Sequence, residues 1–185
     1  YSFKRSNAFP YVQKECENVH NNVGILDLST FAKYEIKGSG AEEYLNRLCA
    51  NIIPKKDGGI ILGHTLNNIG RIQSELTITR LSKDKFYVLS STASEIRDLD
   101  WFNHNKSKDE KLQIKNVTSD YGVLVLAGPN SRNILSKLTS ENLDNANFPW
   151  LKGKEIEINK VPVQALRINY MGELGWELHH PMKQM

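Results

Sequence analysis

The sequence predicts an α+β fold of antiparallel sheets with helices laid against them. Three observations point there. Stretches such as "RIQSELTITRL" alternate with the period that sends neighbouring side chains to opposite faces of a strand. Short polar turns, "LNNIG" and "SKDK", join consecutive strands of this kind. Helical spacing is confined to a few brief segments between them.

Taken in order, "NAFPYVQKECENVHNN" places Val12, Cys16 and Val19 at helical spacing, so a helix opens the chain. "VGILDLST" is compact and apolar, which predicts a buried strand, and "KYEIKG" predicts another. "GSGAEEYLNRLCAN" follows as a helix. Ser39 and Glu42 have the spacing of a capping box there, and Leu45, Leu48 and Cys49 form its buried stripe. "GGIILGHTL" and "RIQSELTITRL" are strands joined through Asn67–Gly70, whose residues tolerate a left-handed backbone. "KFYVLSS" is a third strand. Thr92 and Glu95 form a second capping box for a helix running through Ile96, Leu99 and Phe102, and "LQIKNV" returns as a strand. Strand, helix, strands, helix, strand is a ferredoxin-like arrangement with small embellishments.

A second set follows. It comprises the strand "YGVLVLAG", a helix from Pro129 to Leu138 with proline in its first turn, and the strands "KEIEIN", "VPVQALRIN" and "GWELHH". "GELG" supplies the turn before the last of these. There is no low-complexity tract and no short-period repeat.

A chain of 185 residues suits one large domain or two small intertwined ones. Hydrophobic content of 39% and charged content of 24% support a buried core. Lys+Arg 24 against Asp+Glu 21 leaves a scattered net charge of +3, with no basic stripe, which argues against a nucleic-acid partner. The longest apolar runs are too short to span a membrane. Cys16 and Cys49 sit in no metal-binding pattern and are expected as buried, reduced thiols. The chain begins at Tyr1, shows no signal peptide and stops just after a predicted strand. Both ends are therefore expected to be cuts in a longer polypeptide.

"GSG" between a strand and a helix lacks the third glycine of a dinucleotide-binding turn, because Glu43 stands there. His179 and His180 are adjacent on one strand and point to opposite faces, which disfavours a metal site. His20, His64 and His104 show no partner pattern and are expected to be structural or surface residues.

Two places stand out. On "RIQSELTITRL", Leu76 and Ile78 share one face while Glu75, Thr77 and Thr79 share the other. That polar face looks at water or lines a polar pocket. In "RINYMGELGWELHH", Glu177 and His179 share a face opposite Trp176 and Leu178, and Tyr170 precedes the turn. A carboxylate beside an aromatic suits a flat heterocycle with a guanidine-like edge, accepting two parallel N–H bonds while the ring is covered. The alternative is an exposed strand glutamate paired with a lysine.

"GILDLSTFAKYEIKGSGAEEYLNRL", "HTLNNIGRIQSELTITRL", "LVLAGPNSRNIL" and "YMGELGWEL" resemble, in order, successive motifs of the tetrahydrofolate-binding aminomethyltransferase family. That family includes the T-protein of the glycine cleavage system and the folate-binding C-terminal part of dimethylglycine and sarcosine dehydrogenases. The likeness covers nearly the whole chain. The N-terminal segment resembles most the dehydrogenase branch, where it follows an FAD-binding half.

The resemblance implies a three-part ring around the folate. Residues 1–33 and 116–185 would form a discontinuous first subdomain truncated at its C-terminus, and 34–115 an inserted ferredoxin-like subdomain. The essential carboxylate falls on Glu75, where T-proteins mostly carry Asp, and folate-contacting positions fall on Thr77 and Thr79. Ser91 stands where T-proteins carry an Asn ligand. The pterin-gripping glutamate of "GExGxE" falls on Glu177, with Tyr170 as its aromatic companion. The implied activity is transfer of an aminomethyl or methylene unit to tetrahydrofolate, with release of an amine. Tetrahydrofolate is the implied cofactor, and FAD belongs to a part of the parent chain not present here. The implied partners are a small-molecule amine donor and an FAD-binding half of the same polypeptide. The expected location is the cytoplasm, or the mitochondrial matrix in a eukaryote. Two alternatives stay open. One is a non-catalytic folate-binding or assembly module, although "INYMGELGWE" lacks the cysteine of the "KGCYxGQE" motif that marks such relatives. The other is folate-dependent demethylation of a sulfonium compound.

Overall fold

Local patterning fixes where each element starts, and pairing between elements sorts them into two sheets. The computed structural model describes residues 3–185. In chain order the helices are α1 (Phe9–Asn21), α2 (Ala41–Leu48), α3 (Glu95–His104) and α4 (Ser131–Leu135). The strands are β1 (Gly24–Asp27), β2 (Ala32–Lys37), β3 (Ile60–Leu66), β4 (Ile72–Ser82), β5 (Lys85–Ser90), β6 (Gln113–Asn116), β7 (Tyr121–Ala127), β8 (Gly153–Ile158), β9 (Val161–Leu166) and β10 (Gly175–Pro181). One five-stranded sheet has the order β1-β7-β10-β9-β8, and the other β3-β4-β5-β2-β6. Every pairing is antiparallel. The α+β class with antiparallel sheets is therefore as the sequence predicts, and the edge strand β3 is the addition to the second sheet.

The alternation of β4 explains the layering. Leu76 and Ile78 enter a core with Tyr34 and Ile36 of β2 and Phe86 and Val88 of β5. Helix α2 closes it with Ala41, Tyr44, Leu45 and Leu48, the spacing of a single helical face. Phe102 of α3 meets the Tyr34 ring edge-on at 5.2 Å. Both buried tyrosines keep their hydroxyls bonded, Tyr44 to the Phe102 carbonyl and Tyr34 to that of Glu95. The opposite face of this sheet packs Ile60, Tyr87 and Leu89 against Leu166 of the other sheet. Beyond that sheet, Trp176, Leu178 and Val163 bury against Leu135, Leu143 and Phe148.

The two sheets close on each other through backbone bonds. Gly153 N–H donates to the Gly58 carbonyl (2.7 Å), and Ile60 N–H to that of Leu151 (3.0 Å). Gly58 has a φ of +76°, which a side chain would strain.

Several local expectations fail. The Ser39–Glu42 capping box does not form. Helix α2 starts after Gly40 without a side-chain cap, and Glu42 instead binds Lys55 (2.6 Å) and the nearly buried Arg80 (2.8 Å). Glu95 likewise accepts from Asn116 Nδ2 (2.7 Å) rather than capping with Thr92. Strand β1 is an edge strand with Ile25 67% and Leu26 48% exposed, not a buried one. Helix α1 has no buried residue, so Val12 and Cys16 are exposed, while Cys49 is buried as expected. Helix α4 spans five residues rather than the full stretch from Pro129 to Leu138. Among the described residues, no helix is long and apolar enough to cross a membrane, and no group of His, Cys, Asp or Glu could hold a metal ion.

Candidate functional site

A cavity of about 760 Å³ opens between the two sheets. That volume falls in the range of small-molecule sites. Its wall receives Glu75 and Thr77 from β4, Ser91 from the turn after β5, and Glu177 from β10. Tyr170, from the loop before β10, stands at the rim and is 91% exposed. Five of the six site residues singled out in the sequence thus meet in one hollow, although they come from two different sheets. Thr79 does not. It is fully buried where the sheets close, with its methyl group beneath Gly153 of β8.

Glu75 keeps its side chain 56% accessible, and its Oε2 lies 3.1 Å from His64 Nε2. The β3–β4 register sets these residues directly opposite each other. Sequence reasoning placed His64 without a partner. Counting back from the Asn67–Gly70 turn would not have found this one, because the register shifts by one residue between Thr65 and Leu66. Without that irregularity, His64 would oppose Ser74 instead.

Glu177 is neither exposed nor paired with a lysine. Its side chain is 11% accessible, and its Oε2 lies 3.2 Å from Nε2 of His179, two residues on along the same face. The imidazole is fully buried, and burial pushes its pKa down while the Glu177 acceptor pulls the other way. His180 turns to the opposite side and packs over Gly122.

Further wall residues were not singled out from the sequence. Ser74 Oγ donates to Asp98 Oδ1 (2.6 Å), and Arg97 Nη2 donates to Asp98 Oδ1, Ser74 Oγ and Ser94 Oγ. The second oxygen of Asp98, Ser90 Oγ and Asn169 Nδ2 are all buried without a protein partner, and all three residues line the cavity. Trp150 adds a large apolar surface. The available sequence signal was Asn169, a short amide just before the "YMGELG" turn. The others carried none.

The arrangement presents carboxylate acceptors from two sheets, hydroxyls and aromatic area in one hollow. The model of the GCVT N-terminal domain family matches residues 1–185, the whole chain. The chain belongs to that family. GCVT relatives agree over similar lengths. The chain is 42% identical over 180 residues to mitochondrial dimethylglycine dehydrogenase of Rattus norvegicus, covering 97% of this chain and 21% of the relative. It is 30% identical over 172 residues to an aminomethyltransferase of Halothermothrix orenii, covering 90% of this chain and 46% of the relative. A crystal structure of the glycine cleavage system aminomethyltransferase T from Bartonella henselae superimposes with a TM-score of 0.79 at 21% identity, over 94% of this chain and 46% of that one. That last likeness speaks to the fold. The chain spans about a fifth of the length of the dimethylglycine dehydrogenases it matches.

Proposed function

We propose that this chain is the folate-binding part of an enzyme that transfers a one-carbon unit from an amine to tetrahydrofolate. The observation that carries the proposal is that Glu75 and Glu177, from different sheets, line one cavity of about 760 Å³. The wall fits a reduced pterin chemically. Glu177 is an acceptor for a guanidine-like N–H edge, and Tyr170 and Trp150 offer aromatic surface.

When bound, the reduced folate supplies the amine nitrogen that accepts the one-carbon unit. Glu75 has the chemistry to orient that amine. His64 Nε2 donates to its Oε2, which leaves Oε1 to accept an N–H and then take up the proton that must leave. Thr77 and Ser91 border the same hollow and supply hydroxyls for positioning. Thr79 contributes by packing. Holding two reactants in one orientation is itself worth several kcal/mol, on the order of 7–11 in the best cases.

In this proposal, residues 1–33 and 116–185 form one subdomain and 34–115 another, each organised around one of the two sheets. The dimethylglycine dehydrogenase relatives favour a methylated amine as one-carbon donor and a mitochondrial location. The family resemblance of the N-terminal segment adds an FAD-binding half elsewhere in the parent polypeptide.

The test is the rate of folate-dependent one-carbon transfer by the full-length protein carrying Glu75→Ala. A loss of about 10²- to 10⁴-fold is expected for removal of an acid–base group. Unchanged transfer would remove Glu75 from the reaction.

A further inference from the structure

A carboxylate in a cavity wall can present its lone pairs to a ligand in one direction only if another group fixes its rotamer. For Glu177 that group is a buried pair of side chains, one from each sheet. Alternation on β10 sends Glu177 and His179 toward the second sheet, where Tyr87 of β5 reaches up from the other side. His179 Nε2 lies 3.2 Å from Glu177 Oε2, and His179 Nδ1 lies 3.1 Å from the Tyr87 hydroxyl. The Tyr87 ring also meets the imidazole edge-on at 5.3 Å and the Tyr121 ring at 5.9 Å, so its direction is set by packing.

The hydrogens can be assigned from the chemistry. An ionised carboxylate only accepts, so the imidazole proton must sit on Nε2. Nδ1 is then a bare lone pair, and the Tyr87 hydroxyl donates to it. The bonds run in one sense, from Tyr87 O–H to His179 Nδ1 and from His179 Nε2–H to Glu177 Oε2. One lone pair of Oε2 is used by the protein, and the remaining lone pairs of both oxygens are left for a ligand. Burial favours the neutral imidazole that this arrangement needs.

We propose that His179 and Tyr87 are positioning residues that hold the Glu177 carboxylate toward the N–H edge of a bound reduced pterin. The grip would then form only when the two sheets are docked, because the relay takes one member from β5 and two from β10. This rests on the folate function proposed above and adds to it two residues that touch no ligand.

The experiment is a double-mutant cycle in the full-length polypeptide, with tetrahydrofolate as the titrant and calorimetry as the readout. Glu177→Gln is expected to weaken binding at least tenfold, as loss of a charged hydrogen-bond acceptor should. His179→Gln and Tyr87→Phe are each expected to weaken it about 3- to 10-fold in the wild-type background. Neither should cost anything further once Glu177 is Gln, since groups acting through one another are non-additive. A merely structural role would lower affinity equally in both backgrounds. Equal losses in the two backgrounds would overturn the relay, and so would wild-type affinity in both His179→Gln and Tyr87→Phe. If Glu177→Gln itself bound tetrahydrofolate normally, the folate function of the site would fail first, a result distinct from a failing relay. Should His179→Gln not fold, Tyr87→Phe, which keeps the ring and loses only the hydroxyl, completes the cycle alone.

Discussion

His179 is where a single residue makes the molecule sensitive to pH. Burial holds its pKa below the ordinary 6.5, so on acidification the unfolded chain takes up a proton that the folded chain refuses. Stability from this group is therefore complete above about pH 6.5 and lost as pH falls toward the lower folded value. The slope in that window is at most about 1.4 kcal/mol per pH unit. Thermal midpoints measured from pH 7.5 down to 5.5 should fall, and in His179→Gln the fall should be smaller. An identical pH dependence in both proteins would show that the buried imidazole is not the responsible group. Much at this scale was legible in the sequence. Alternation alone set Glu75 and Thr77 apart from Leu76 and Ile78, and Glu177 with His179 apart from Trp176. The partner of each glutamate was not legible, because His64 reaches Glu75 only through an irregular register, and Tyr87 reaches His179 from another sheet.

At the scale of elements, the strands and the positions of the helices are legible in the sequence, and the helix caps are not. Strand signals are period-two patterns bounded by polar turns, and nothing competes with them locally. Cap signals do face competition. Glu42 could serve the α2 terminus, yet the nearly buried Arg80 needs a counter-charge more than an exposed backbone N–H needs an acceptor. The junction of β7 with α4 illustrates the opposite case, in which geometry permits one residue. Gly128 has a φ of +122°, and an added Cβ would come 2.5 Å from the Asn22 carbonyl and 2.6 Å from that of Val19 at the end of α1. Gly128→Ala is expected to destabilise the fold by more than about 1 kcal/mol. Urea unfolding measures it, and a midpoint equal to wild type would mean that α1 moves aside freely.

At the scale of the whole molecule, the cavity lies between two sheets that the chain itself links. The chain crosses between them twice, from β1 to β2 and from β6 to β7, and the fully buried Lys33 ties the two crossings together. Its Nζ donates to the carbonyls of Ser29 (2.7 Å), Phe31 (2.8 Å) and Thr118 (3.3 Å), while Val117 N–H donates to the Lys33 carbonyl. Lys33→Met would keep much of the volume and leave those carbonyls without their donor. A loss of about 1–3 kcal/mol is expected, net of the desolvation that the ammonium itself suffers. Chemical denaturation of the full-length protein checks this, and an unchanged free energy would show that the crossings hold without the lysine.

The sequence by itself determined the strands, the hairpin turns, the two-sided character of β4 and β10, and the family motifs, since each depends on neighbours a few residues apart. Only the tertiary structure decided that Glu75 and Glu177 share a hollow while Thr79 is sealed beneath Gly153. It also decided which buried polar atoms of Ser90, Asp98 and Asn169 go unpaired. Those outcomes depend on how closely two separately patterned sheets approach along their length, and no period within one strand encodes that distance.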